Sequence, residues 1–240
     1  MSWVIDGDSL EIETSNGELE VRLAGINAAE RGECYFDESL DFLIETIKGR
    51  EVIVDVVSED QFGRTLANVW LDEELVSLGM VVEGLAIAQS PDGDNPLAES
   101  LIQAEEAAYE ARIGLWSETA CGGSAAVPAI RIDLDESVFD PSGPDDAVIE
   151  EEQITVVNDT STVIDLRGWT LRDESSRNRL VFPEGTTLEP GASLRISSGC
   201  STSPAWCSGA PIWNNDGDMA LLLDPLGTVV ARARYQASSR

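Results

Sequence analysis

The stretch from Val4 to Glu30, VIDGDSLEIETSNGELEVRLAGINAAE, admits few folds. Leu10 and Ile12 alternate with Glu11 and Glu13, the period of two that sends successive side chains of a half-buried strand to opposite faces. Ser15-Asn16-Gly17 supplies the turn, because Asn and Gly tolerate positive φ. Leu19, Val21 and Leu23 then share one face of a return strand, and Glu18, Glu20 and Arg22 the other. The hairpin therefore gathers carboxylates and one guanidinium. Oxygen ligands for a hard cation, a base for water and planar donors for phosphate are what cleavage of a phosphodiester requires.

Composition closes other routes to catalysis. With no histidine in the chain, no Ser-His-Asp triad, Cys-His dyad or HExxH zinc site can be built, so carboxylates must do the acid and base work. Against 45 Asp and Glu stand 15 Lys and Arg, Lys48 being the single lysine, for a net charge of −30. Such a surface repels nucleic acid at low ionic strength. Lysine depletion with acidic excess reads as adaptation to a saline environment, where a short Debye length screens the repulsion. No apolar run approaches the length of a transmembrane helix, and no signal peptide precedes Val4; an upstream signal sequence is expected.

Four motifs in order carry a family resemblance: VIDGDS at 4–9, RLAGINAAE at 22–30, DQFGR at 60–64 and GLW at 114–116. Over residues 3–116 the chain resembles the staphylococcal nuclease family of calcium-dependent thermonucleases. The resemblance implies an α+β fold, an OB-fold β-barrel with helices. It also implies Ca2+ as cofactor, bound by Asp8, with Arg22 and Arg64 on the phosphate and Glu30 as general base. Asn27 stands where the family has a second metal-binding aspartate, the backbone carbonyl of Ala28 is a further expected metal ligand, and Ala28-Ala29 replaces the usual Thr/Ala-Pro. An amide oxygen ligates calcium but brings no charge, so affinity is expected to fall. Family tyrosines that stack on a base have no counterpart in the polar loop from Gln89 to Asn95.

Asp37-Glu38-Ser39 reads as a helix start, with Leu40, Leu43, Ile44 and Ile47 at helical spacing until Gly49. Val52, Val54 and Val56 alternate as a strand, Phe62-Gly63-Arg64 turns, and Leu66 to Leu71 returns. Leu75 to Met80 is a short helix. Leu97 to Arg112 is a longer one, with Leu101, Ala104, Ala108 and Tyr109 as its buried face. Four cysteines permit three pairings; locality favours Cys34–Cys121 and Cys200–Cys207, which supports export.

Residues 122–146, rich in small residues and prolines, read as a linker whose middle, Ala129 to Leu134, alternates weakly and either starts the next domain or lies along it. From Ala147, short strand-like runs recur every eight to twelve residues, as in an all-β sandwich. VIDLRGWTLRDES at 163–175, FPEGTTLEPG at 182–191 and IWNNDGDMALLLDPLG at 212–227 resemble the lamin tail domain, an immunoglobulin-like sandwich appended to secreted bacterial hydrolases. The organisation is thus 1–121 nuclease-like, 122–146 linker and 147–240 sandwich. Arg172, Arg177 and Arg179 read as a solvated, self-paired loop with Asp173 and Glu174, Asp216 and Asp218 as a turn, and Trp169 and Trp213 as core. The functional reading is a secreted, monomeric nuclease acting on DNA and/or RNA, its second domain an adaptor for a cell surface or protein partner. The competing readings are a catalytically silent OB-fold module that binds single strands and an adhesion protein.

Overall fold

The computed structural model of the chain describes residues 3–60, 63–90, 96–123, 129–143, 148–175 and 177–236. The chain divides into two compact units, 1–121 and 122–240. Gln61, Phe62 and residues 91–95, which include most of the polar loop, lie outside the described residues.

In the first unit, β1 (Trp3–Val4), β2 (Ser9–Thr14), β3 (Gly17–Leu23), β5 (Ile53–Glu59), β6 (Thr65–Leu71) and β7 (Glu74–Leu75) form one sheet. Its path runs β1-β2-β3-β6-β5, with β7 on β6, and β4 (Ile26–Ala28) pairs separately with β8 (Ala86–Ala88). The expected hairpin forms, with Ser9 opposite Arg22 and Leu10 opposite Val21. Among the described residues the ladder stays open between β1 and β5 and closes no barrel. The α+β character holds: α1 (Phe36–Ile47), α2 (Val76–Val82) and α3 (Ala98–Glu110) accompany the strands.

Leu10, Val21, Leu23, Ile26, Leu43, Ile47, Val69, Met80 and Leu101 lie at the centre of one core. Two expected faces shift. On β5 a bulge between Val56 and Ser58 breaks the alternation and leaves Val56 exposed. On α3 the buried stripe runs Ala98, Leu101, Glu105 and Ala108, while Tyr109 is exposed. Gly114 of the GLW motif has φ +59 and lies so close to Gly84 that a Cβ there would meet the Gly84 carbonyl oxygen at 2.4 Å. Only glycine allows that approach.

The second unit is all-β in its sheets: β15 (Ser193–Ser197), β10 (Gln153–Asn158) and β9 (Ile130–Val138) form one, and β13 (Arg179–Val181), β12 (Thr170–Arg172), β16 (Gly217–Leu223) and β17 (Val229–Gln236) the other. A small pair, β11 (Ile164–Asp165) with β14 (Thr187–Leu188), completes it. Both larger sheets supply the core around Trp213, Phe182, Ile154, Val156, Ile196, Leu171 and Leu222, and Trp169 is buried with them. The stretch read as linker is corrected here, because it contains β9. Ile130 and Ile132 turn inward while Arg131 stays exposed and ion-paired to Asp133 and Asp159. Four acids among residues 133–140 mask that strand in a compositional reading. Both expected disulfides form, Cys34–Cys121 with Cα atoms 5.5 Å apart and Cys200–Cys207 with Cα atoms 4.5 Å apart.

Candidate functional site

Asp8 sits in the bend just ahead of β2, one residue beyond Gly7. A Cβ on Gly7 would meet Ser39 Cβ at 2.6 Å and Ala28 Cβ at 2.7 Å, so glycine lets this turn press between α1 and β4. Asp8 consequently lies against the Ala28 backbone, 3 % exposed. Its Oδ2 accepts the Ala28 N–H at 2.9 Å and its Oδ1 accepts the Ser9 hydroxyl at 3.0 Å. The Asp8 carbonyl accepts the Leu23 N–H at 2.8 Å, extending the β2–β3 ladder by one step.

Arg22 leaves the outer face of β3 and meets two oxygens at once. One terminal nitrogen donates to Asp8 Oδ1 at 2.5 Å and the other to Asn27 Oδ1 at 2.8 Å. Asn27, 2 % exposed, is held in place by β4 pairing with β8, opposite Ile87. Burial pushes the Asp8 carboxyl up to about 6, against the pull of Arg22 and with a further push from Asp6.

The other two expected residues stand apart from this knot. Arg64 precedes β6, whose Thr65 and Leu66 pair in parallel with Val21 and Arg22, so it lies two residues before the partner of Arg22. Its Nε donates to Asp60 Oδ2 at 2.7 Å and its backbone N–H to Asp60 Oδ1 at 2.9 Å. Glu30 is exposed on the turn after β4; its N–H donates to Glu33 Oε2 at 2.8 Å, and its carbonyl accepts the Glu33 N–H at 2.9 Å. Among the described residues no hydrogen bond or ion pair joins its carboxylate to Asp8 or Arg22. The structure thus joins Asp8, Arg22, Asn27 and the Ala28 backbone, and presents Arg64 and Glu30 at nearby chain positions.

Whether these residues fit a calcium ion follows from what their oxygens do. Asp8 Oδ1 and Asn27 Oδ1 already converge on one positive group, the Arg22 guanidinium, so the pair suits a cation. Only one of the two carries charge, and among the described residues no group of three acidic, histidine or cysteine side chains is placed to hold a metal. The set fits a hard cation weakly, in competition with Arg22.

Two residues escaped sequence reasoning. Glu105, fully buried on α3, accepts the Ala88 N–H at 3.0 Å and so fixes β8, the partner of Asn27. The available sign was an acid four residues after Leu101, inside the apolar stripe. Ser39 is buried on α1, its hydroxyl donating to the Leu85 carbonyl at 2.6 Å. In the second unit, Arg172, Asp173 and Glu174 are buried rather than solvated, with Glu174 paired to Arg234 at 3.2 Å. Asp218, also buried, accepts N–H groups from Asn214, Glu174 and Met219 at 2.7–3.3 Å. Burial, reinforced by Glu174 and Asp173, pushes its carboxyl up to about 7.

Comparison with known proteins places this geometry. Residues 20–118 match the family model described as staphylococcal nuclease homologue, and residues 125–237 the model described as lamin tail domain. The chain is 32 % identical over 124 residues to Protein ParB of Escherichia coli, covering 48 % of this chain and 70 % of that protein. It is 30 % identical over 124 residues to the micrococcal nuclease of Shigella flexneri, covering 48 % and 71 %. To the thermonuclease of Staphylococcus hyicus it is 29 % identical over 122 residues, covering 48 % and 72 %. The family-model match over 20–118 takes in Arg22, Asn27 and Arg64 and begins after Asp8, and by these likenesses this chain belongs to the staphylococcal nuclease family, with a lamin tail domain following.

Proposed function

We propose that the first unit is a calcium-assisted nuclease that hydrolyses phosphodiester bonds in DNA and/or RNA, acting outside the cell. The observation that carries this reading is the bridge from Arg22 to Asp8 Oδ1 and Asn27 Oδ1. It is a cation site and a phosphate donor in one place. Arg22 and Arg64 bind the phosphate oxygens and neutralise the charge that builds on phosphorus, a role fixed donors fill without reorganising. Glu30, solvent-facing on a turn pinned by Glu33, takes a proton from water. The water oxygen bonds to phosphorus, the phosphorus–ester bond breaks, and the departing oxygen is protonated from solvent. Asp8, Asn27 Oδ1 and the Ala28 carbonyl would hold calcium, which supplies a further positive charge to the phosphate when bound. The two disulfides support an oxidising location. The second unit then serves as an adaptor toward a surface or protein partner.

A second reading is supported by Asn27 itself. With one charge fewer than a pair of carboxylates, and Arg22 on both oxygens, the unit would bind single strands without cutting them. Incubation of plasmid and denatured DNA with the full chain separates the two. Cleavage with calcium that stops in chelator supports the nuclease. Retention of DNA in a band shift, with no cleavage at any calcium concentration, sinks it in favour of the binding module.

A further inference from the structure

Few cations are available to a polyanion in the first unit, whose positive side chains are Arg22, Arg31, Lys48, Arg50, Arg64 and Arg112. Three of them are engaged by carboxylates: Arg22 by Asp8, Arg64 by Asp60 and Arg112 by Glu118. Arg31 differs in both place and partner. It follows Glu30 directly, on the turn closed between Glu30 and Glu33. Its guanidinium carbon lies 5.5 Å from the centroid of the Phe36 ring, within the range of a cation–π contact. Phe36 is itself fixed, buried at the first turn of α1 with its N–H on the Glu33 carbonyl.

The nature of that partner matters. A carboxylate orients a guanidinium and cancels its charge, whereas a ring face orients it and leaves the charge and the N–H edge available. Arg31 is exposed, and among the described residues no carboxylate pairs with it. It stands three residues from Ala28, whose N–H meets Asp8. Its Cα is therefore within roughly 10 Å of the Ala28 Cα. That distance is on the order of three nucleotide steps along a duplex strand.

We infer that Arg31 is a third phosphate-binding guanidinium of this site. It takes a backbone phosphate of the nucleic acid strand away from the bond that is cut, with Phe36 as its positioning residue. This rests on the nucleic-acid reading of the site but not on cleavage, since Arg31 acts on strand affinity. Its loss falls on KM for a polymeric substrate rather than on kcat.

The test measures binding of a fluorescein-labelled single-stranded oligothymidylate to the full chain by anisotropy, in chelator, across salt concentrations. Removing one phosphate contact from a single strand lowers the slope of log K against log salt by about 0.7, a loss of about fivefold at 0.1 M salt. Arg31→Ala should show both, Arg31→Lys should recover most of the salt slope, and Phe36→Leu should weaken binding while keeping the wild-type melting profile within a few degrees. Arg112→Ala, an equal charge change at an ion-paired arginine, is the control and should bind as wild type. Equal losses in Arg31→Ala and Arg112→Ala would reduce the effect to net charge and overturn the inference, as would a wild-type slope in Arg31→Ala. A wild type that binds but never cuts fails the nuclease reading and leaves the Arg31 result readable. A wild type that does not bind at all overturns both.

Discussion

Arg22 donates to Asn27 Oδ1 at 2.8 Å, so the position that would offer a cation its second charge is an amide already serving an arginine. Asn27→Asp should tighten calcium binding by roughly tenfold or more, because a divalent ion gains a full charge at contact distance. Nuclease activity at limiting calcium should rise, and the gain should shrink at saturation. Calorimetric titration of calcium into both proteins checks this. Unchanged affinity would place Asn27 outside the metal site.

The two family arginines should separate in stability although they act together in turnover. Arg22→Ala and Arg64→Ala are each expected to lower kcat by one to two orders of magnitude. Arg22→Ala also leaves Asp8 buried without its partner, at a cost of about 2–3 kcal/mol after allowance for the partial exposure of the pair. Arg64 and Asp60 are more open to solvent, and their separation should cost no more than about 1 kcal/mol. Denaturant melts of the two variants decide; equal destabilisation would mean that Asp8 finds another donor.

Each disulfide should protect its own unit. In the loop-entropy model the 87-residue separation of Cys34–Cys121 corresponds to about 4–5 kcal/mol and the 7-residue separation of Cys200–Cys207 to about 2.5 kcal/mol. Cys34→Ser with Cys121→Ser should therefore lower one calorimetric transition sharply and leave the other in place. A shift of both transitions together would contradict the assignment of one bridge to each unit.

Asp218 should make the second unit sensitive to pH. Its carboxyl is pushed up to about 7 in the folded state from an ordinary value of 3.8. The native fold thus holds the extra proton between those limits. The stability this lends is full below the ordinary value and is lost as pH rises through about 7. Asp218→Asn keeps one acceptor and cannot ionise. Its melting temperature relative to wild type should move upward as pH goes from 5 to 8, and a difference independent of pH would refute the assignment.

With a net charge of −30, the whole chain should gain stability from added salt and bind a polyanion poorly in dilute buffer. A melting temperature highest at the lowest ionic strength would count against adaptation to salt.

What could be read from the sequence divides along physical lines. The β2–β3 hairpin, the Asp8–Arg22–Asn27 neighbourhood and both disulfides were legible. The alternation of Leu10, Ile12, Val21 and Leu23 fixes the hairpin register that sets Ser9 opposite Arg22, whereas Asp8 and Asn27 were singled out by the family resemblance. The β5 face was not legible, since a bulge between Val56 and Ser58 depends on β6 rather than on local preference. The strand Ile130–Val138 showed only as the weak alternation of Ala129 to Leu134, because the acids at Asp133, Asp135 and Glu136 also suit a tether. Glu105 went unread and the burial of Asp218 behind its turn was not foreseen for a shared reason: in a chain so rich in acids, composition favours solvent for every carboxylate. Only tertiary contact reveals the few that hold backbone N–H groups in the interior.

The Cys34–Cys121 bridge also sets an order in time. It closes a covalent ring around residues 34–121, and the segment that carries Asp8, Arg22, Asn27 and Glu30 lies wholly ahead of that ring. Synthesis therefore delivers the chemical groups first and the bond that secures them last, once Cys121 has emerged and met an oxidant. Where thiols stay reduced the first unit lacks this tie, which at about 4–5 kcal/mol approaches the whole net stability of an ordinary domain.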